Sequence, residues 1–88
     1  MTNAAVKTKL YGEHNRIKAA KIKARDTVTG NIQKYCTIAY IKPYDLAAAV
    51  GISESSWRDK KSGRTEYTLG ELVAIAAKLK VTLQELVT

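Results

Sequence analysis

Residues 45–63 read DLAAAVGISESSWRDKKSG, and this run decides the fold. Gly51 directly follows Val50, where a helix closes in the left-handed conformation that glycine adopts without a Cβ clash. Two residues on, Ser53 offers a side-chain oxygen to the first free amides of a new helix, as an N-cap does. Upstream, Pro43 suits the first position of a helix, because its missing N–H would find no intrahelical partner there. The spacing therefore predicts two short helices, Pro43 to Val50 and Ser53 to about Ser62, joined by a tight turn. Ala47, four residues before Gly51, is small where the second helix crosses close above the first. That is the geometry of a helix-turn-helix unit.

Downstream the same start signals recur. Thr68 is followed by Glu71 and Thr82 by Glu85, each in the order of a capping box. Tyr67 with Leu72, and Val81 with Leu86, occupy hydrophobic-staple positions around those boxes. Ile52 with Trp57 and Ile41 with Leu46 repeat the pattern around the two upstream starts. Leu69, Leu72, Val73, Ala76 and Leu79 recur at helical spacing, which predicts a helix over about 68–79 with these residues on one face. A shorter helix then runs from Thr82 to the end. Trp57 is expected in the core, with its indole N–H satisfied at the edge.

The front of the chain is ambiguous. Val28, Ile32, Tyr35, Cys36 and Ala39 fit a helix over about 28–39, while Ile32, Cys36, Ile38 and Tyr40 alternate as a strand would, after a hairpin-like DTVTGN. Helix is the preferred reading. Residues 14–25 fit either a basic helix, with Ile17, Ala20 and Ala24 on one face, or an arm that orders on contact. Residues 1–12 are expected to lack order.

At 88 residues the chain holds one small core, since a domain of this size buries only about 60–65% of the surface its unfolded form exposes. Its single cysteine, Cys36, excludes an internal disulfide and a multi-thiolate zinc site, and is read as a small buried hydrophobe. His14 stands alone and is read as a surface residue. No metal and no cofactor are expected. No apolar run approaches the roughly 18 residues of a membrane span, and no signal-peptide core is present, so a cytoplasmic protein is expected. No carboxylate pair, nucleophile–base set or phosphate loop suggests an enzyme. The formal charge of +7 points to a polyanionic partner. Residues 1–34 carry Lys7, Lys9, Arg16, Lys18, Lys21, Lys23, Arg25 and Lys34 against only Glu13 and Asp26, so most of the surplus lies in front of the helix-turn-helix. A solvated tail and an arm following a phosphate backbone both fit that block.

The run quoted above, followed by TLGELVAIAAKLKVTLQELV, resembles the Xre/Cro-type helix-turn-helix family of phage and bacterial repressors over about residues 31–88. The resemblance implies an all-α, lambda-repressor-like bundle of about five short helices. Its third helix, about 53–62, would enter the major groove, with two subunits on a two-fold operator. Carried over by position, the base-facing slots fall on Ser53, Glu54, Ser55, Arg58 and Asp59. Arg58 can pair bidentately with guanine, the acids can accept from a cytosine amino group, and the serines suit bases or phosphates. Lys42, Tyr44, Ser56, Lys60, Lys61 and Arg64 are expected at phosphates. Three residues depart from the family pattern: Trp57 where a smaller aliphatic is usual, Lys60 and Lys61 where an apolar residue helps to seat the helix, and Lys42 in place of a Ser or Thr cap.

The expected organisation is a basic N-terminal arm over residues 1–27, part helix or strand, carrying Arg16, Lys18, Lys21, Lys23 and Arg25. A DNA-binding domain follows over 28–88. The expected function is sequence-specific binding of double-stranded DNA by a small, repressor-like regulator, encoded by a phage or mobile element and dimeric at least on DNA. The rival reading is a protein-interaction module on the same fold, an adaptor, antitoxin-like subunit or inhibitor, with Glu54, Asp59 and Trp57 facing a protein. Membrane-surface binding by residues 14–25 is the weakest reading, because few large apolar side chains there could insert.

Overall fold

The structure, a computed structural model, describes residues 3–88, with side chains from residue 12 onward. The described residues form five helices: α1 (Asn3–Ala39), α2 (Pro43–Ala49), α3 (Glu54–Ser62), α4 (Leu69–Leu79) and α5 (Leu83–Val87). No strand occurs among the described residues, so the hairpin alternative for the front is not realised. The start signals act as expected. The Ser53 side chain accepts from the Ser56 amide at 3.2 Å. Thr68 and Glu71 bond reciprocally at 3.1 and 2.8 Å, and Thr82 and Glu85 at 3.1 and 3.0 Å. Lys42 opens α2 with no side-chain cap, leaving Pro43 to supply the start.

The first helix departs most from expectation. The helical alternative for residues 14–25 is the one realised, but it is not separate from the helix expected near 28–39: one helix of 37 residues runs from Asn3 to Ala39. The expected lack of order over residues 1–12 therefore does not hold from Asn3 on, and Met1 and Thr2 lie outside the described residues. Thr27, Thr29 and Gly30 are poor helix formers, yet tertiary bonds hold the helix through them. Val28 and Ile32 are buried on its inner face. The Thr29 hydroxyl bonds the Tyr67 hydroxyl at 2.8 Å, and the Asn31 amide donates to the Leu86 carbonyl at 2.8 Å. At 1.5 Å per residue α1 is about 55 Å long, close to the molecule's longest dimension of 59 Å. Ile17, Ala20 and Ala24 do share a face, but all three are exposed.

Four helices close alike. Tyr40, Gly51, Gly63 and Lys80 take φ of 57°, 81°, 87° and 58°, and the amide of the next residue reaches back to the carbonyl five before it. Those bonds, Ile41 to Cys36, Ile52 to Ala47, Arg64 to Asp59 and Val81 to Ala76, measure 2.8–3.0 Å and satisfy carbonyls that the helix leaves orphaned. Glycine signals two of these ends in the sequence. The other two hold side chains in the left-handed region, which costs about 1–2 kcal/mol. Lys80→Gly is therefore expected to stabilise the protein by about 1 kcal/mol, raising Tm by about 4–8 °C in a thermal melt.

The core joins Val28, Ile32 and Cys36 of α1, Leu46 and Ala47 of α2, Ile52, Trp57 of α3, Ile75, Ala76 and Leu79 of α4, and Leu86 of α5. All eight staple residues belong to or pack against this cluster. The buried face of α4 is rotated from the expected one. Ile75 is fully buried, whereas Leu69 and Val73 are 68% and 51% exposed. Ala39 is exposed as well, beyond the last buried turn of α1. Trp57 is core, but its indole N–H has no partner among the described residues, contrary to the expectation of a satisfied edge.

Candidate nucleic-acid interface

The third helix is anchored from one side only. Trp57 and Lys60, three residues apart and so one above the other, are its buried residues, at 1% and 7% exposure. Trp57 meets the Tyr67 ring edge-on, with centroids 6.2 Å apart at 72°. Lys60 is buried to its tip, where its ammonium pairs with Glu71 at 2.9 Å and donates to the Glu66 carbonyl at 3.3 Å. Burial alone would raise the Glu71 pKa. The Thr68 amide, the Lys60 ammonium and the Thr68 hydroxyl together outweigh it and hold the carboxyl below its ordinary value. Glu71 thus serves the α4 cap and the seat of α3 at once. Lys60, expected at a phosphate, is turned into the body and stands apart from the other cations.

The opposite face of α3 is open. Helical spacing sets Ser55, Arg58 and Ser62 along its centre, flanked by Glu54 and Asp59. Glu54, Ser55, Arg58 and Ser62 are exposed and Asp59 half-buried. Ser53 is exposed but its oxygen is engaged in the cap, and Ser56 is half-buried beside it. Arg58 pairs with Glu54 at 3.0 Å, with both side chains about two-thirds exposed, an arrangement worth little and readily exchanged for another acceptor. Ser62 was not anticipated. It lies seven residues after Ser55, a spacing that could have signalled it, and its hydroxyl donates to the Asp59 carbonyl at 3.0 Å. At the edge of this face the Lys61 ammonium sits 5.1 Å from the centroid of the Tyr44 ring, bringing α2 and α3 together. Lys42 and Arg64 are exposed on the flanking turns. With Lys60 neutralised inside, the outward charges are Arg58 and Lys61 against Glu54 and Asp59, an even balance.

A small helix presented after a tight turn, with a capped start and an exposed outer face, is the arrangement that places side chains in a DNA groove. The family model for the Cro/C1-type HTH DNA-binding domain matches residues 31–88. The chain belongs to the Cro/C1-type HTH family. No curated protein and no solved structure matches it. The matched Cro/C1-type domain takes in α2 to α5 and only the end of α1, so about three-quarters of α1 lies beyond it.

Outside the Cro/C1-type domain, the basic residues of α1 divide by face. Lys18, Lys21 and Arg25 follow each other at three and four residues, on the side toward the α3–α4 connection. Arg16 and Lys23, seven apart, lie on the opposite side. Lys21 makes a loose pair with Glu66 at 3.8 Å. Arg25 binds Asp26 at 3.2 Å, and its guanidinium lies against Gly63, where any Cβ would collide with it. A cation there also suits the negative end of α3. Arg16, Lys18, Lys21 and Lys23 are exposed, whereas Arg25 is folded onto the body. His14 is exposed, and burial pushes the Cys36 thiol pKa up, as expected of a cysteine packed in the core. No helix of the described residues is long and apolar enough to cross a membrane.

Proposed function

We propose that this protein is a sequence-specific binder of double-stranded DNA and acts as a small, repressor-type transcriptional regulator in the cytoplasm, of the kind phages and mobile elements encode. The observation that carries the reading is the outward face of α3, capped at Ser53 and open at Arg58, within a Cro/C1-type domain. Arg58 reads a guanine edge, with Ser53, Glu54, Ser55 and Asp59 beside it and Ser62 extending the same line. Lys42, Tyr44, Ser56, Lys61 and Arg64 hold phosphates on either side, while Lys60 acts from within. Residues 1–27 form the basic arm and 28–88 the DNA-binding domain, which acts as a homodimer on a two-fold operator. The even charge of α3 leaves affinity to the arm, whose exposed cations Arg16, Lys18, Lys21 and Lys23 release counterions from the duplex. No catalytic step is part of this role.

A second reading, a protein-interaction module, is favoured by one observation: Glu54 and Asp59 oppose a polyanion, and Glu54 already holds Arg58. Titration of duplexes at two salt concentrations separates the two. A DNA-binding regulator loses affinity steeply with salt, and Lys61→Ala is expected to weaken all duplexes alike and lower the salt slope by about 1. Affinity for duplex that is weak and indifferent to sequence at both salts would leave the interaction module standing.

A further inference from the structure

A cavity of about 440 Å³ lies between the outer part of α1 and the segment joining α3 to α4. Pockets that take small ligands run from about 300 to 1,000 Å³. Its lining is mostly apolar, with Ile22, Val28, Leu72 and Val87 beside the Tyr67 ring. Its rim carries Lys18, Lys21 and Arg25 against one carboxylate, Glu66.

We propose that this cavity binds a small amphipathic anion, an acyl or aryl body bearing one carboxylate. A phosphate backbone, which the same exposed lysines meet when the chain is on DNA, would leave the apolar lining unfilled, and a neutral apolar molecule would leave the cations unused. Ile22 and Val87 are each 43% exposed, surface that an acyl chain would cover. The rim can receive the carboxylate at little cost. Lys21 holds Glu66 only loosely, at 3.8 Å with the two side chains 67% and 80% exposed. The Arg25 guanidinium spends its Nε and one terminal nitrogen on Asp26 and keeps further N–H donors. Tyr67 bonds Thr29 through its hydroxyl, so it presents its ring rather than a competing donor. Gly63, which closes α3, is part of the same wall.

The site needs no DNA, so its test is independent of the DNA-binding reading. Octanoate, octylammonium and octanol are titrated into the full chain without DNA, and backbone amide shifts are followed by NMR. Octanoate is expected to give saturable shifts confined to residues 18–28, 63–67, 72 and 87. Octylammonium and octanol, lacking the carboxylate, should bind at least about tenfold more weakly, and Lys18→Gln with Lys21→Gln should cost octanoate a similar factor. Equal binding of the three probes, octanoate shifts unaffected by the double variant, or no saturable shift at about 10 mM octanoate, ten times a millimolar Kd, would overturn the proposal.

Discussion

Glu71→Ala is expected to cost about 3 kcal/mol of stability, because it strands the Lys60 ammonium inside the protein without a counter-ion. The same change removes one side of the α4 capping box, where the carboxylate accepts from the Thr68 amide at 2.8 Å. Urea denaturation reads the loss as a fall in midpoint without a change in slope. Lys60→Met should behave oppositely, close to neutral or stabilising, since a buried pair replaced by a well-packed apolar side chain often loses nothing. Glu71 then keeps its bonds to Thr68, so no charge is left unsatisfied. A pH dependence follows from the same carboxylate. Its folded pKa is lowered from 4.5, so its contribution is complete above that value and is lost as pH falls through the lower folded value. Acid destabilisation below about pH 4.5 should therefore be shallower in Glu71→Ala than in the wild type.

Trp57→Ala should be at least as damaging, at about 3–5 kcal/mol for an aromatic removed from a packed core. The side chain is 1% exposed and packs edge-on against Tyr67 from within the same cluster that holds Ile75 and Leu86. An 88-residue domain has roughly 4–13 kcal/mol in total, so this one change can consume most of it. Thermal unfolding followed by far-UV circular dichroism checks the expectation. Trp57→Phe isolates the packing, because it keeps a ring in the slot and removes the indole N–H that has no partner.

The helix-turn-helix was legible because its signals are local. Gly51, Ser53, Thr68 with Glu71, and Thr82 with Glu85 each act within a few residues, and each does in the fold what its spacing predicts. The continuity of α1 was not legible. Thr27, Thr29 and Gly30 argue locally for a break, and the bonds that override them go to Tyr67 and Leu86, 38 and 55 residues away. The same distance problem hid the role of Lys60. A lysine beside Lys61 and Arg64 near the end of a helix reads as a phosphate contact, and only the return of α4 brings Glu71 to it. The rotation of α4, which exposes Leu69 and Val73 and buries Ile75, is likewise set by what the helix meets and not by its own period. Tyr40 and Lys80 end helices in conformations usual for glycine, so neither stop could be read from residue type. On the candidate interface, the outward position of Arg58 was implied by the family resemblance, whereas its pairing with Glu54 depends on rotamers that no sequence pattern fixes.

The central claim is that the outward face of α3 reads base sequence through Arg58. Selection of bound duplexes from a random library, carried out in parallel on the wild type and on Arg58→Ala, tests it most directly. The wild type is expected to enrich a defined motif containing a guanine at a fixed position. Arg58→Ala should lose preference at that position by about 1–3 kcal/mol while keeping the rest of the motif. An unchanged motif in Arg58→Ala, or no motif from the wild type, would contradict the account.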